Sequence, residues 1–269
     1  MPTTDLEPEQ ERTASDGRRS KEQRLTAIVQ QLATRGSLEV SDLVQQLQVS
    51  AATVRRDLEE LEDRHLLERT HGGAVRRGVT YELPLRYKAA THHEEKLRIG
   101  AAAASLVGDD AVVGLTGGTT CTETARALAE RSLTVVTNAL NIAWELAVHP
   151  EVKLVVAGGV ARSQSYELVG PLAEQALAAL NLDLVFLGVD GVSVTHGLTT
   201  HNEAEAHTNR VLIERAQRVV VVADHWKLGQ VRFAQICPVS AVQQLITDRG
   251  ADPVVVEELR DAGLEVQLV

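Results

Sequence analysis

Apolar residues recur with helical spacing through the first part of the chain and gather into short Val-rich runs further on. Leu25, Ile28, Val29 and Leu32 share one face of a helix that begins at Ser20 and is ended by Gly36. Ser41 reads as the N-cap of a second helix, SDLVQQLQ, with Leu43, Val44 and Leu47 as its apolar face. Val49 and Ser50 break the pattern. Ser50 then caps AATVRRDLEELEDRH, whose stripe is Val54, Leu58 and Leu61. A turn of about four residues between the second and third helices is helix-turn-helix spacing. Next, 66-LLERTHGGAVRR-77 alternates around Gly72-Gly73 and predicts a hairpin with a basic far strand. Residues 20–77 are therefore expected to form a winged helix-turn-helix. The polar stretch 1–19 reads as a disordered arm, and 78–91, with Pro84, as a linker holding a hinge near Gly78–Lys88.

Residues 92–269 carry a different rhythm. LRIGAAAASLV, TETARALAER, NIAWELAVH, PLAEQALAAL, AEAHTNRVLIERA and VVEELRDAG read as helices. AVVGL, LTVVT, VKLVV, LDLVF, RVVVV, QLITD and LEVQLV read as strands. This alternation predicts a mainly parallel α/β sheet. The fold class expected is α/β: an N-terminal winged helix-turn-helix followed by a larger parallel α/β domain.

Composition fits two domains in 269 residues. At 44% hydrophobic and 3% aromatic, the core is built mostly from Leu, Val, Ile and Ala. Trp144, at helical spacing with Leu140 and Leu146, is expected in it. No apolar run approaches the roughly 20 residues of a membrane span. The N-terminus shows no apolar signal region, and Cys121 and Cys237 offer no disulfide framework. A cytoplasmic protein without membrane contact is the simple expectation.

Charge changes the picture more. The net charge is -10. Yet Arg18 to Arg77 holds eleven basic and nine acidic residues, a surplus of two, which leaves twelve net negative charges on the rest. A small DNA-facing unit joined to an acidic one follows. On the third helix Ala52 and Arg56 lie opposite the apolar stripe, flanked by Thr53 and Arg55. Short Ala51 and Ala52 allow close approach to a groove, and arginine bonds guanine O6 and N7 or a phosphate. The acidic run Asp57 to Asp63 argues for entry by the helix's N-terminal end. An isolated Arg-Arg pair commonly makes surface ion pairs, but here the helix spacing, the serine caps and the wing agree on DNA. Ser50, Ala52, Thr53, Arg55 and Arg56, with Arg69, His71, Gly72, Gly73 and Arg76 of the wing, form the expected DNA surface. Which of Arg55 and Arg56 reads a base is open.

In the larger domain, polar motifs fall at strand ends, where ligands of parallel sheets gather. LTGGTTCTETARAL is a strand, a Gly-rich turn and a helix. Backbone N–H groups of Gly117, Gly118, Thr119 and Thr120 can cradle a phosphate. The P-loop lysine and the G-x-G-x-x-G spacing are both missing, so no nucleotide cofactor is expected. Other strand ends add Asn138, Gly159, Arg162, Asp190, the stretch THNEAEA, Asp224 and Lys227, a mixed phosphate-and-hydroxyl pocket. His196, His201 and His207 with Glu203 and Glu205 lack common zinc spacing, so no metal is expected. His92-His93 reads as a solvated helix start.

The stretch VSAATVRRDLEELEDRHLLERTHGGA resembles the signature of the DeoR family of bacterial transcriptional regulators. The resemblance extends over roughly residues 20 to 269. It implies a repressor of a sugar-catabolic operon, relieved by a phosphorylated sugar, and acting as a dimer or tetramer on operator DNA. It also implies a sensor domain similar to ribose-5-phosphate isomerase and glucosamine-6-phosphate deaminase. By that similarity the Gly117–Thr120 turn takes the phosphate, and Asp190, Asn202, Glu203 and Lys227 line the sugar. Two positions depart from the family pattern. Thr116 stands where an acidic residue is frequent, and Asp224-His225-Trp226-Lys227 replaces Asp-x-Ser-Lys, with Trp226 narrowing the pocket or packing beside it. The stretches 163-SQSYELVGPLAEQAL-177, 197-GLTTHNEAEA-206 and 258-ELRDAGLEVQLV-269 resemble members that control N-acetylgalactosamine and other amino-sugar use. The alternative is an active sugar-phosphate enzyme with a DNA-binding head. Against it, the isomerase pattern Asp-Gly-Ala-Asp-Glu is here Asp190-Gly191-Val192-Ser193-Val194, without the second Asp and the Glu.

Overall fold

The computed structural model describes residues 19–76 and 82–269. Arg77, most of the expected N-terminal arm and the first part of the expected hinge lie outside them. The chain divides into two compact units, Met1–Val79 and Thr80–Val269.

In the first unit, helix α1 (Lys21–Arg35) opens on a capping box. The Ser20 hydroxyl accepts from the Gln23 N–H at 3.3 Å, and Gln23 Oε1 accepts from the Ser20 N–H at 2.8 Å. Gly36 ends it at φ 79°, a left-handed conformation suited to glycine. Strand β1 (Ser37–Glu39), which the sequence pattern does not reveal, runs directly into α2 (Val40–Leu47). That continuity displaces Ser41 from its expected role as N-cap. The cap is Glu39, without a side-chain bond, and the Ser41 hydroxyl turns to the Glu39 carboxylate at 3.4 Å. Helix α3 (Ala51–Asp63) is capped as expected, Ser50 Oγ accepting from the Thr53 N–H at 3.2 Å. Strands β2 (Glu68–Arg69) and β3 (Gly73–Val75) form the wing. They join β1 in an antiparallel sheet of order β1-β3-β2.

The acidic run on α3 holds this unit together. Asp57 is buried and takes a two-pronged bond from Arg24, Nε at 2.8 Å and an NH2 nitrogen at 3.0 Å. That bond holds the Arg24 guanidinium above its usual pKa. Glu60 pairs with Lys21 at 2.6 Å and with Arg64, and Glu62 accepts the Arg69 N–H at 2.9 Å. The run thus ties α3 to α1 and to the wing.

In the second unit, the stretch read as linker is partly built in. Helix α4 (Leu85–Lys88) buries Leu85 and Tyr87, and the Leu85 N–H donates to the Gln164 carbonyl at 2.7 Å. Then come α5 (His93–Ala104), β4 (Val112–Leu115), α6 (Thr119–Leu128), β5 (Leu133–Thr137), α7 (Leu140–Leu146) and β6 (Val152–Val156). A short antiparallel pair, β7 (Val160–Ala161) and β8 (Leu168–Val169), precedes α8 (Pro171–Ala178) and β9 (Leu182–Leu187). Next are β10 (Gly191–Ser193), β11 (Gly197–Thr200), α9 (Glu203–Arg215), β12 (Ala216–Val222), β13 (Ala234–Cys237), β14 (Gln244–Thr247), α10 (Pro253–Asp261) and β15 (Glu265–Leu268).

Seven of these strands form a sheet in the order β15-β14-β12-β9-β4-β5-β6, every neighbouring pair parallel. Successive residues of one strand serve opposite cores. Leu184 and Phe186 of β9 face the core of α5, α6 and α7, and Val185 and Leu187 face that of α8, α9 and α10. Strands β10, β11 and β13 make a separate antiparallel sheet that the sequence pattern does not reveal, because runs as short as GVS and AQIC show no alternation. Trp144 is 84% exposed rather than in the core. It lies on the face of α7 opposite the buried Ile142 and Leu146.

Removing one partner of a buried ion pair leaves an uncompensated charge. Asp57→Ala is therefore expected to destabilise the winged unit by about 3 kcal/mol. Hydrogen exchange on the full chain checks this: protection in α1 and α3 should fall while that of the parallel sheet is kept. Unchanged protection in α1 and α3 would contradict the role given to the pair.

Candidate functional site

In the winged unit the first half of α3 presents Ala52, Arg55 and Arg56 to solvent. The buried Val54, Leu58 and Leu61 occupy the other face. Among the described residues neither Arg55 nor Arg56 makes an ion pair, whereas Lys21, Arg24, Arg64 and Arg69 all do. Ser50 is exposed and shares a 2.9 Å hydroxyl bond with Thr53. In the wing, Arg69, His71 and Gly72 are exposed. Two wing residues also serve the fold. Arg76 donates to the Leu32 carbonyl at 2.9 Å, which also accepts the Gly36 N–H, and to that of Ala33, closing the C-terminal end of α1. A Cβ on Gly73 would stand 1.8 Å from the Leu38 carbonyl oxygen, so β1 itself requires the glycine.

In the sheet, chain order reverses between β4 and β9. From β4 it runs outward through β5 and β6, and from β9 the other way through β12, β14 and β15. A crevice opens beyond the strand ends at such a switch point. The Gly-rich turn follows β4 and Gly188 follows β9, and the Gly188 N–H donates to Thr116 Oγ1 at 2.9 Å. Thr116, the departure from the acidic family pattern, thus joins the two strand ends. Gly118 caps α6 at φ 111°, leaving the Gly118, Thr119 and Thr120 N–H groups without partners inside the helix. The Gly117 N–H is already engaged, donating to Glu167 Oε1 at 2.6 Å, and a Cβ there would collide with Glu167 at 2.5 Å. Of the four N–H groups expected to form a cradle, three are thus left open and one is taken.

Beside the turn, Asp190 Oδ1 accepts from two ammonium groups, Lys227 Nζ at 2.9 Å and Lys88 Nζ at 3.0 Å. Thr200 bridges Asp190 Oδ2 at 3.3 Å and Glu205 Oε2 at 3.0 Å. Glu205 also pairs with Arg162, whose other nitrogen bonds Glu82 at 2.7 Å. Burial opposes the Asp190 charge, but Lys227 and Lys88 outweigh it and hold the carboxyl well below the usual carboxylate range. Burial likewise opposes Lys88 and Arg162, and their carboxylate partners hold both above their usual values. Lys96 lies beneath, donating to the Lys88 carbonyl at 2.8 Å, and burial lowers it to about 8 against the pull of Asp224.

The remaining expected residues divide. Asn202 is the N-cap of α9, its Oδ1 accepting from the Ala204 and Glu205 N–H groups at 3.0 and 3.1 Å. Glu203 is exposed, and it is Glu205, two residues on, that reaches the cluster. Asn138 is fully buried and donates to the Leu168 carbonyl at 3.3 Å, fixing the strand that follows Glu167. Gly159 lies against β8, where a Cβ would come within 2.9 Å of the Val169 carbonyl. Trp226 packs beside the site against the rings of His92 and His225, while Lys227 still reaches Asp190. His92 is half-buried against these rings, while His93, the first residue of α5, is exposed as expected of a solvated helix start. Burial lowers the His201 pKa, against the pull of Asp190. Among the described residues no group of His, Cys, Asp and Glu is arranged to hold a metal. Ser193 Oγ, at one of the missing isomerase carboxylates, accepts the His196 N–H at 3.0 Å in a turn. Sequence reasoning did not single out Glu82, Lys88 or Glu167 for this site, whereas Thr200 and Glu205 lie in the strand-end stretch THNEAEA without being named as site residues.

Residues 91–249 match the DeoR C terminal sensor domain, and residues 24–78 match the DeoR-like helix-turn-helix domain. The chain belongs to the DeoR family. It is similar to a putative aga operon transcriptional repressor of Escherichia coli O157:H7, 35% identical over 100% of this chain and 99% of that one. It is also similar to the glycerol-3-phosphate regulon repressor of Escherichia coli K12, 31% identical over 91% of this chain and 98% of the relative. A ribose 5-phosphate isomerase from Methanocaldococcus jannaschii matches 51% of the chain and 55% of its own at 22% identity, with a TM-score of 0.38, too distant to carry an argument. This DeoR-family chain is a DNA-binding transcriptional regulator and not an enzyme. Among the described residues no helix is long and apolar enough to cross a membrane.

Burial, with the Glu205 and Asp190 charges adding to it, pushes the Glu167 carboxyl well above its ordinary value of 4.5, against the pull of the Gly117 N–H. The folded DeoR-family sensor therefore favours the protonated form of Glu167 more than the unfolded chain does. The stabilising contribution of Glu167 is full below the unfolded value and is lost as pH rises through the folded one. Glu167→Gln is permanently neutral and keeps an acceptor for Gly117. Its stability relative to wild type, from urea melts at a series of pH values, is expected to increase as pH is raised above about 4.5. A pH-independent difference would contradict a raised Glu167 pKa.

Proposed function

We propose that the protein is a cytoplasmic repressor of a sugar or amino-sugar catabolic operon, released from its operator by a phosphorylated sugar. The N-terminal half of α3 enters the major groove, Arg55 and Arg56 contacting bases or phosphates, with the wing residues Arg69, His71 and Gly72 alongside. Two or more chains bind paired half-sites, since a symmetric operator matches a symmetric oligomer. In the sensor, the Gly118–Thr120 N–H groups take the phosphate, and Asp190, Lys227 and Arg162 meet the sugar hydroxyls. Ligand lowers DNA affinity through a coupling free energy of about 1–3 kcal/mol.

The observation that carries this reading is the shared Asp190 carboxylate beside an N–H-rich turn at the switch point of the sheet. Three backbone donors suit an anion, and the charged cluster suits hydroxyls. The names of both relatives support repression, and that of the glycerol-3-phosphate regulon repressor supports a phosphorylated ligand.

Gel shifts on the DNA upstream of the protein's own gene test both halves. The ligands are N-acetylgalactosamine 6-phosphate, galactosamine 6-phosphate, glucosamine 6-phosphate, ribose 5-phosphate and glycerol 3-phosphate. Arg56→Ala is expected to weaken specific binding by about 1–3 kcal/mol if Arg56 reads a base. A uniform loss across sequences, with a salt slope smaller by about 1, would make it a phosphate contact. No effect would remove α3 as the reading helix. Gly118→Asp sets a carboxylate in the proposed phosphate cradle, so DNA binding is expected to persist while release by ligand disappears. Release at the wild-type ligand concentration would contradict the cradle.

A further inference from the structure

Two charged residues of the sensor cluster come from the segment by which the chain enters this unit. Glu82 stands six positions after Arg76, the last described residue of the winged unit. Its carboxylate bonds Arg162, and Lys88, one turn of chain further on, bonds Asp190. Their situations differ. Lys88 is on a stiff support: α4 buries Leu85 and Tyr87, and the Lys88 carbonyl is held by the buried Lys96. Its ammonium is also the second on one carboxylate oxygen, which Lys227 already neutralises at 2.9 Å. An ammonium so placed is free to turn to an incoming oxygen without leaving Asp190 unpaired. Glu82, by contrast, has Arg162 as its one side-chain partner among the bonds described, and it competes there with Glu205. Glu205 is the better anchored of the two, being 3% exposed, bonded to Thr200, and in the first turn of α9.

We propose that Lys88 and Glu82 are part of the effector site, with opposite roles: Lys88 binds an oxygen of the phosphorylated sugar, and Glu82 occupies Arg162 until that sugar displaces it. The inference rests on the sugar-phosphate reading above. It makes the ligand site and the start of the path toward the winged unit the same stretch of chain. Displacing Glu82 releases the first described residue of the sensor unit from Arg162, so binding acts at the point where the chain enters this unit.

The test is isothermal titration of the full-length protein with the five sugar phosphates named above. Lys88→Met should weaken binding of the active probe by at least about tenfold, the loss of one charge-assisted bond. Lys88→Arg, which keeps the charge, should restore most of it. Glu82→Gln should tighten binding several-fold, because the competitor for Arg162 has lost its charge, and its operator affinity without ligand should fall. Binding unchanged in Lys88→Met, or weakened in Glu82→Gln, would overturn the inference alone. If the wild-type protein binds none of the probes, the sugar-phosphate reading itself fails and takes this inference with it.

Discussion

The sensor unit depends on one carboxylate. Asp190 is 9% exposed and carries two ammonium groups on a single oxygen. Taking charges from water costs several kcal/mol each unless they are paired and hydrogen-bonded. The surrounding elements meet that demand. The turn after β12 presents Lys227, α4 presents Lys88, and β11 presents Thr200, which links Asp190 to Glu205 and so to Arg162. Four chain segments distant in sequence are thereby fixed around the point where the sheet reverses its order. The charges gathered there are already placed and paired.

The winged unit follows a related economy at smaller scale. Its acidic residues neutralise the basic ones needed for the fold, Asp57 with Arg24 and Glu60 with Lys21 and Arg64. Arg55 and Arg56 are left facing solvent beside short Ala52. Net charge therefore says little about where DNA would bind, because an acidic helix can still present a basic end.

Sequence periodicity revealed the long elements well. The apolar stripe of α3 fits a helical repeat, and the Val-rich runs of the parallel sheet are marked as strands by short length, β-branched residues and flanking turns. It missed β1, β10, β11 and β13, whose three or four residues are held by neighbours rather than by their own pattern. At the site, the Gly-rich turn, Asp190, Arg162 and Lys227 were legible because they end strands. Glu82, Lys88 and Glu167 were not, since each sits in a connector and gains its position only from tertiary contacts. Arg76 and Gly73, expected at DNA, and Asn202, expected at the effector, also satisfy backbone groups or close packing, a demand that a motif alone does not show.

The central claim is that the Asp190 cluster couples a sugar phosphate to DNA release. Its most direct test is fluorescence anisotropy of labelled operator bound to the full-length protein, titrated with N-acetylgalactosamine 6-phosphate and the other probes. Wild-type protein is expected to release the DNA, and Asp190→Asn, which removes the charge that holds both lysines, to bind the operator and keep it throughout the titration. Release from Asp190→Asn at the wild-type ligand concentration would contradict the account.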